Sequence, residues 1–222
     1  MDFDEVIRRR HMVRSYLPDV VEADKVDRIL DAARRAPSAG FSQPHRFVVI
    51  TSQPVRNILA QACGESAAIA RGLAPWLSVA PVHIIPCLDR NAYARRYAEP
   101  DKAGSGGPGQ WPVPFDWVDG GAAIMLLLLA AVNEGLAAGF LAVDDAALRD
   151  ALDVPPQWTP LGLVTVGYAS QPEAKDPDAQ EPDAKKPAAD ESGPVQTQRS
   201  TQGPVGSARR PRLSLDDIVL RY

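Results

Sequence analysis

Three short stretches of this chain carry side chains that could do chemistry. Arg8 to Arg14, RRRHMVR, crowds four arginines and a histidine into seven residues. Near the other end, Arg210 and Arg212 alternate within RRPRL, as they would along an extended segment. Guanidinium forks suit carboxylates and phosphates because both partners are planar or fork-shaped and charged. Arg10, His11 and Arg14 fall where a first helix gives out before the turn SYLPD, so their side chains and the local backbone amides can converge on one anion. Two small clusters of this kind fit a phosphomonoester better than a polyanion. They also fit a pair of solvated basic faces that attract a membrane or a partner. The third stretch, APSAGFSQPHRF from Ala36 to Phe47, is a helix end followed by small residues whose backbone can approach a planar ligand closely. Ser38, Ser42 and Gln43 add polar side chains to it, and an ordinary helix-to-strand turn would read the same way.

The bulk of the chain narrows these choices. At 222 residues and 45% hydrophobic, it is long enough for one good core and short for two domains. The formal net charge of −4 argues against a nucleic-acid binder, which needs a strongly basic face. Only two cysteines occur, Cys63 and Cys87, without metal-ligand spacing, so no metal site and no disulfide framework is expected and a reducing cytoplasm fits best. The opening MDFDEVIRRR has no apolar stretch and does not read as a secretory signal. The longest apolar run, Gly120 to Val132, is shorter than the roughly 20 residues of a membrane span. It reads as a helix buried in the core or in a subunit interface, with no membrane partner expected.

The elements that must position the three stretches follow from periodicity. Asp2 to Arg10 and Glu22 to Arg35 place apolar residues on one helical face, and Pro54 to Cys63 and Ala146 to Leu152 are further helices. Arg46 to Thr51, Pro81 to Leu88 and Leu161 to Ala169 are short β-branched runs that read as strands, with Gly139 to Val143 a weaker fourth. The alternation predicts an α+β fold, helices covering a modest sheet. Tyr93 to Pro114 is too rich in Gly, Pro and charge for regular structure, yet carries Trp111; it reads as a substrate lid or as a surface excursion. Gln171 to Ser207 is Pro- and Ala-rich and nearly free of large apolar residues, so it is expected to be mobile. The expected organisation is therefore a domain over 1–170, a low-complexity insert over 171–207 and a docking segment of the same domain over 208–222.

A resemblance sharpens this. RHMVRSY followed by RAPSAGFSQPHRFVVI resembles the paired N-terminal motifs R-[RH]-S-x-[RK]-x-[FY] and a-P-S-x-x-N-x-Q-P-W-x-F of the nitroreductase family of FMN-dependent oxidoreductases. WVDGGAAIMLLLLAAVNEGLAAGFL is similar to that family's buried helix and Gly-rich turn, LGLVTVGY to a later strand, and RRPRLSLDDIVLRY to its closing segment. The resemblance implies a nitroreductase-like fold with a mostly antiparallel sheet, an intertwined homodimer, and FMN bound between subunits. It implies that Arg10, His11 and Arg14, with Met12 among them and Arg210 and Arg212 joining, hold the phosphate and ribityl end. Pro37, Ser38 and Ala39, with Gln43 in the same turn, would approach the isoalloxazine from the other subunit, and Ala138 and Gly139 would supply backbone donors near N5. The flavin would carry the chemistry, so no catalytic side chain is expected; NADH or NADPH would be the reductant and a nitroaromatic, quinone or related small molecule the acceptor. Phe41 and Trp111 are the substrate-side candidates. The sequence departs from the family pattern where Met12 replaces a serine, Phe41 an asparagine and His45 a tryptophan. Alternatives on the same scaffold are a protein that binds or sequesters a flavin or deazaflavin without turnover, and an oxygen-dependent, flavin-fragmenting enzyme of the benzimidazole-synthase type.

Overall fold

The computed structural model describes residues 1–142, 145–170 and 210–222. The low-complexity segment 171–207 and Val143 lie outside the described residues. Helix α1, Phe3–Arg9, starts where the Asp2 side chain accepts the Glu5 amide at 2.8 Å, an N-cap that satisfies one otherwise unpaired donor. Helix α2, Ala23–Ala33, turns Val26, Ile29, Leu30 and Ala33 inward. Strand β1 is His45–Ile50, followed by α3, Gln53–Ala62, and α4, Glu65–Ala70. Strand β2, Val82–Asp89, leads directly into α5, Arg90–Tyr97. Then come α6, Phe115–Asn133; β3, Ala137–Leu141; α7, Asp145–Ala151; β4, Trp158–Pro160; β5, Leu163–Gly167; and β6, Val219–Arg221.

The sheet has six strands in the order β3-β5-β2-β1-β6, with β4 pairing with β2 off this path. All pairs are antiparallel except β6, which lies parallel to β1. Both faces of the central strands are covered, and alternation along each strand sorts side chains between two cores. Phe47, Val49, Ile84 and Val166 face α2 and α6, where they meet Ile29, Leu30 and Leu127. Val48, Ile50, Ile85 and Cys87 face the opposite layer, with Leu59 of α3 and Leu148 of α7.

Helix α6 spans 19 residues and by length and composition alone could cross a membrane. In the fold it is a core helix: Ala123, Leu127, Leu128 and Ala131 are buried. Gly120 lets it lie close to the sheet, since a Cβ there would stand 2.5 Å from Leu161 Cδ1. Its far side leaves Val118 53% and Met125 46% exposed among the described residues.

Three sequence expectations change. Tyr93 to Pro114 begins in a helix, because Asp89 caps α5 by accepting the Asn91 amide and Tyr93 and Arg96 bury as single anchors where an apolar stripe would normally be. The fourth strand begins two residues earlier than Gly139. The C-terminal segment supplies a strand as well as apolar anchors, zipped to β1 through Phe47 N–H to Ile218 O and Tyr222 N–H to Val49 O, both 2.8 Å.

Candidate functional site

The candidate residues form two groups. The first lies beside β3. Arg10 is the C-cap of α1, in extended conformation, and the chain then runs along the sheet with Val13 N–H donating to Ala138 O at 3.0 Å and Leu17 N–H to Tyr168 O at 2.8 Å. The Tyr16 hydroxyl fastens this segment from within, donating to Val13 O at 3.0 Å and lying 2.8 Å from Thr165 Oγ1. Ala138 and Gly139 are therefore buried beneath Val13 and Tyr16, and the Ala138 carbonyl is already taken. His11 and Val13 line a cavity of about 90 Å³ together with Ala137 and Ala138. Met12 and Arg14 point outward; the Arg14 guanidinium sits 5.9 Å from the centre of the Trp76 ring. Trp76 is itself held by Glu65, whose buried carboxylate accepts the backbone amides of Trp76, Leu77 and Ser78.

The second group surrounds the Pro37–Gln43 turn, at the opposite end of the sheet. A short 3-10 turn, Ala39–Phe41, ends with Phe41 in the left-handed region at φ 57°, and Gln43 two residues later is also left-handed at φ 50°. Such backbone costs about 1–3 kcal/mol per residue and persists only where surroundings enforce it. Here the enforcement is visible. Gln43 N–H donates to Ser38 Oγ at 3.0 Å, and the Gln43 amide clasps the C-terminal segment, Nε2 donating to Pro211 O at 2.9 Å and Oε1 accepting Leu213 N–H at 2.8 Å. Arg212 donates to Arg34 O at 3.0 Å and lies 5.1 Å from the Phe41 ring centre. Arg210 is paired with Glu99. A pocket of about 160 Å³ opens between Ser42, Gln43, Arg46, Arg95, Arg96 and Arg210.

Behind the turn stands Asp119 of α6, which sequence reasoning missed. Its Oδ2 accepts the Ala39 amide at 2.9 Å and the Tyr93 hydroxyl at 2.7 Å, and its backbone carbonyl lies 3.2 Å from His45 Nε2. Burial pushes the Asp119 carboxyl above the usual carboxylate range, and burial with the neighbouring Asp119 raises the Tyr93 phenol. His45 is buried at the start of β1, and burial pushes its imidazole down to about 4, so it is neutral at pH 7. A buried, neutral imidazole lying 3.2 Å from the Asp119 carbonyl suits a structural role rather than that of an acid. His83, buried within β2, places one ring nitrogen 2.8 Å from Leu77 O, while Nδ1 has no hydrogen-bond partner among the described residues. Trp111 packs edge-on against Tyr93, Tyr97 and Phe115, so the flap it belongs to rests on α5 and α6 beside the turn.

The two groups cannot meet within one chain. Ala138 pairs with Val166, which pairs with Val82, whereas His45 pairs with Leu88. Six residues along β2 separate these rows by roughly 20 Å, and three strand spacings add about 14 Å sideways. The structure thus brings Arg210 and Arg212 together with Pro37–Gln43, away from Arg10, His11 and Arg14, a grouping different from the one the resemblance implies. Among the described residues, Arg10, Arg14 and Arg212 have no carboxylate partner, whereas Arg9, Arg34, Arg46 and Arg96 are all paired.

The sequence matches the nitroreductase family over residues 7–168. The chain belongs to the nitroreductase family. It is 27% identical over 183 residues to a protein of Methanothermobacter thermautotrophicus described as an NADH dehydrogenase/NAD(P)H nitroreductase, covering 79% of this chain and 82% of the other. It is 30% identical over 183 residues to the 5,6-dimethylbenzimidazole synthase of Rhodospirillum rubrum, covering 74% and 81%. Among solved structures, a Desulfovibrio desulfuricans protein described as a nitroreductase, in complex with FMN, superimposes with a TM-score of 0.59 at 26% identity, covering 83% of this chain and 96% of that one. The fold is that of the nitroreductases, a family of oxidoreductases.

Proposed function

We propose that this nitroreductase-family chain is an FMN-dependent oxidoreductase, working as a homodimer in the cytoplasm, that takes hydride from NADH or NADPH and passes electrons to a small organic acceptor such as a nitroaromatic or quinone. The observation that carries this reading is the separation of the two groups within one chain; on this reading each is half of a site that a second copy would complete. The exposed apolar face of α6 supports the same assembly, since such a face is usually covered by a partner.

The residues present fit FMN. Arg10 and Arg14 from one copy and Arg212 from the other offer guanidiniums with no carboxylate partner to a phosphate, which carries about −1.5 to −2 charge near neutral pH. Pro37, Ser38 and Ala39 present a small, tightly held surface to a planar ring system, and Phe41 and Trp111 border the space left for an acceptor. Bound FMN supplies the hydride and electron transfer. The protein's share is to fix the ring against the turn, to neutralise the phosphate and to exclude water. His45, buried and neutral at pH 7, is not suited to act as a proton donor.

The test is anaerobic titration of the purified protein with NADH and NADPH in parallel. Bleaching of the flavin bands by either supports the reading; bound FMN that neither reduces identifies a flavin-binding protein instead; absence of FMN binding rejects the assignment. The R. rubrum relative favours a second reading, in which FMN is consumed in an oxygen-dependent fragmentation. Chromatography of the flavin after aerobic reduction distinguishes the two, since a reductase returns FMN intact.

A further inference from the structure

Asp119 is a carboxylate in an unusual place. It is 6% exposed, sits on a largely apolar helix whose other acid, Asp116, is ion-paired with Arg90, and itself has no ion-pair partner among the described residues. Its two donors, the Ala39 amide and the Tyr93 hydroxyl, converge on a single oxygen. An asparagine carbonyl could accept both, so holding the turn does not by itself require a charge. Burying an unpaired carboxylate is costly, and the raised carboxyl pKa reflects that cost. The carboxylate stands directly behind the Ala39 peptide, whose N–H it accepts at 2.9 Å.

We propose that Asp119 is a positioning residue that also sets the reducing power of the bound flavin: it fixes the Pro37–Ala39 face by taking the Ala39 amide, and its negative charge behind that face disfavours the extra negative charge of reduced FMN. This rests on the FMN reading above. Tyr93 moderates the effect, because its hydroxyl disperses the carboxylate's charge, and through its edge-on contact with Trp111, ring centres 5.5 Å apart, it links the turn to the flap. A fixed charge beside a redox group shifts its potential by favouring one oxidation state, the same lever that hydrogen bonds and burial exert on other redox centres.

The experiment measures the FMN midpoint potential and the affinity for oxidised FMN at pH 8.5, in the parent, Asp119→Asn and Tyr93→Phe. In Asp119→Asn, affinity for oxidised FMN stays within about threefold while affinity for reduced FMN rises about tenfold, which for a two-electron couple is a positive shift of about 30 mV. Tyr93→Phe keeps the charge and strips a donor from it, so its potential moves the other way. That variant also decides the matter if Asp119→Asn does not fold. Equal losses for oxidised and reduced FMN, or unmoved potentials in the folded variants, would show Asp119 to be a mechanical staple and overturn the proposal. Failure of the parent to bind FMN strikes the reading beneath it instead, so the two failures are distinguishable.

Discussion

Gln43 offers the sharpest single-residue test of how the site is held. It does two things at once: it occupies a left-handed backbone conformation, φ 50°, and its amide forms both hydrogen bonds that clasp Pro211 and Leu213. Each such bond contributes about 0.5–1.5 kcal/mol net, so Gln43→Ala should cost about 1–3 kcal/mol. Because the lost contacts all lie between the turn and the C-terminal segment, that cost appears as undocking, a fall of roughly fivefold to more than a hundredfold in the docking equilibrium. Gln43→Gly loses the same bonds but relieves the left-handed strain, worth about 1–2 kcal/mol, against a glycine entropy cost of about 0.4–1 kcal/mol. Glycine should therefore be the milder substitution, by up to roughly 1.5 kcal/mol on those figures. Urea unfolding gives the stability order, and tryptic cleavage near Arg210 and Arg212 reports the undocking. FMN affinity should fall in step, since Arg212 rides on the segment that is released. If alanine is as well tolerated as glycine, or if the segment stays as protease-resistant as in the parent, the clasp and the strain are not coupled as described.

Arg212→Ala should weaken FMN binding about tenfold to a hundredfold, the value of a charge-assisted hydrogen bond. Riboflavin affinity should be unchanged; equal loss for both ligands would take Arg212 away from the phosphate. Stability should fall as pH drops from about 6.5 to 4, because His45 and His83 have folded pKa values of about 4 and are buried neutral. The stabilisation is complete above the unfolded pKa of about 6.5 and lost towards the folded one, up to about 3 kcal/mol for each histidine. Urea midpoints should show the decline and His45→Gln should make it shallower; a flat profile would contradict the burial argument. Gly139→Ala should destabilise the chain by about 1–3 kcal/mol or more, since its Cβ would stand 2.5 Å from Val13 O and 2.9 Å from Thr165 Oγ1. A neutral thermal shift would mean that the Arg10–Tyr16 segment yields more easily than its hydrogen bonds imply.

Much of the scaffold was legible because its signals are local. β1 and β2 are short runs rich in Val and Ile, buried on both faces, and α2 repeats its apolar residues at helical spacing. Helix α5 was not legible, since DRNAYARRY has no apolar stripe; it forms because Asp89 caps it and because Tyr93 and Arg96 each find a partner far away in sequence. β4 is three residues long and takes its register from β2, which no local pattern encodes. In the site, the arginines and the small-residue turn could be read from composition and spacing. Asp119 could not: its partners Ala39, His45 and Tyr93 lie 26 to 80 residues away. The available signal was only a pair of acidic residues, Asp116 and Asp119, at the head of a largely apolar helix. The pairing of Arg212 with the turn depends likewise on Gln43 reaching a segment 168 residues further on.

The central claim is that each FMN site is shared between two copies, and complementation tests it most directly. Co-expression of an Arg10→Ala/Arg14→Ala chain with an Arg212→Ala chain, each carrying a different tag, allows the mixed dimer to be isolated. In that dimer one site collects both defects while the other combines the intact N-terminal arginines of one copy with the intact turn and Arg212 of the other. Equilibrium titration should then find one FMN bound per dimer at parental affinity, although neither parent homodimer binds at that strength. If every site in the mixed dimer stays as weak as in the two homodimers, each site is built within a single chain and the account is wrong.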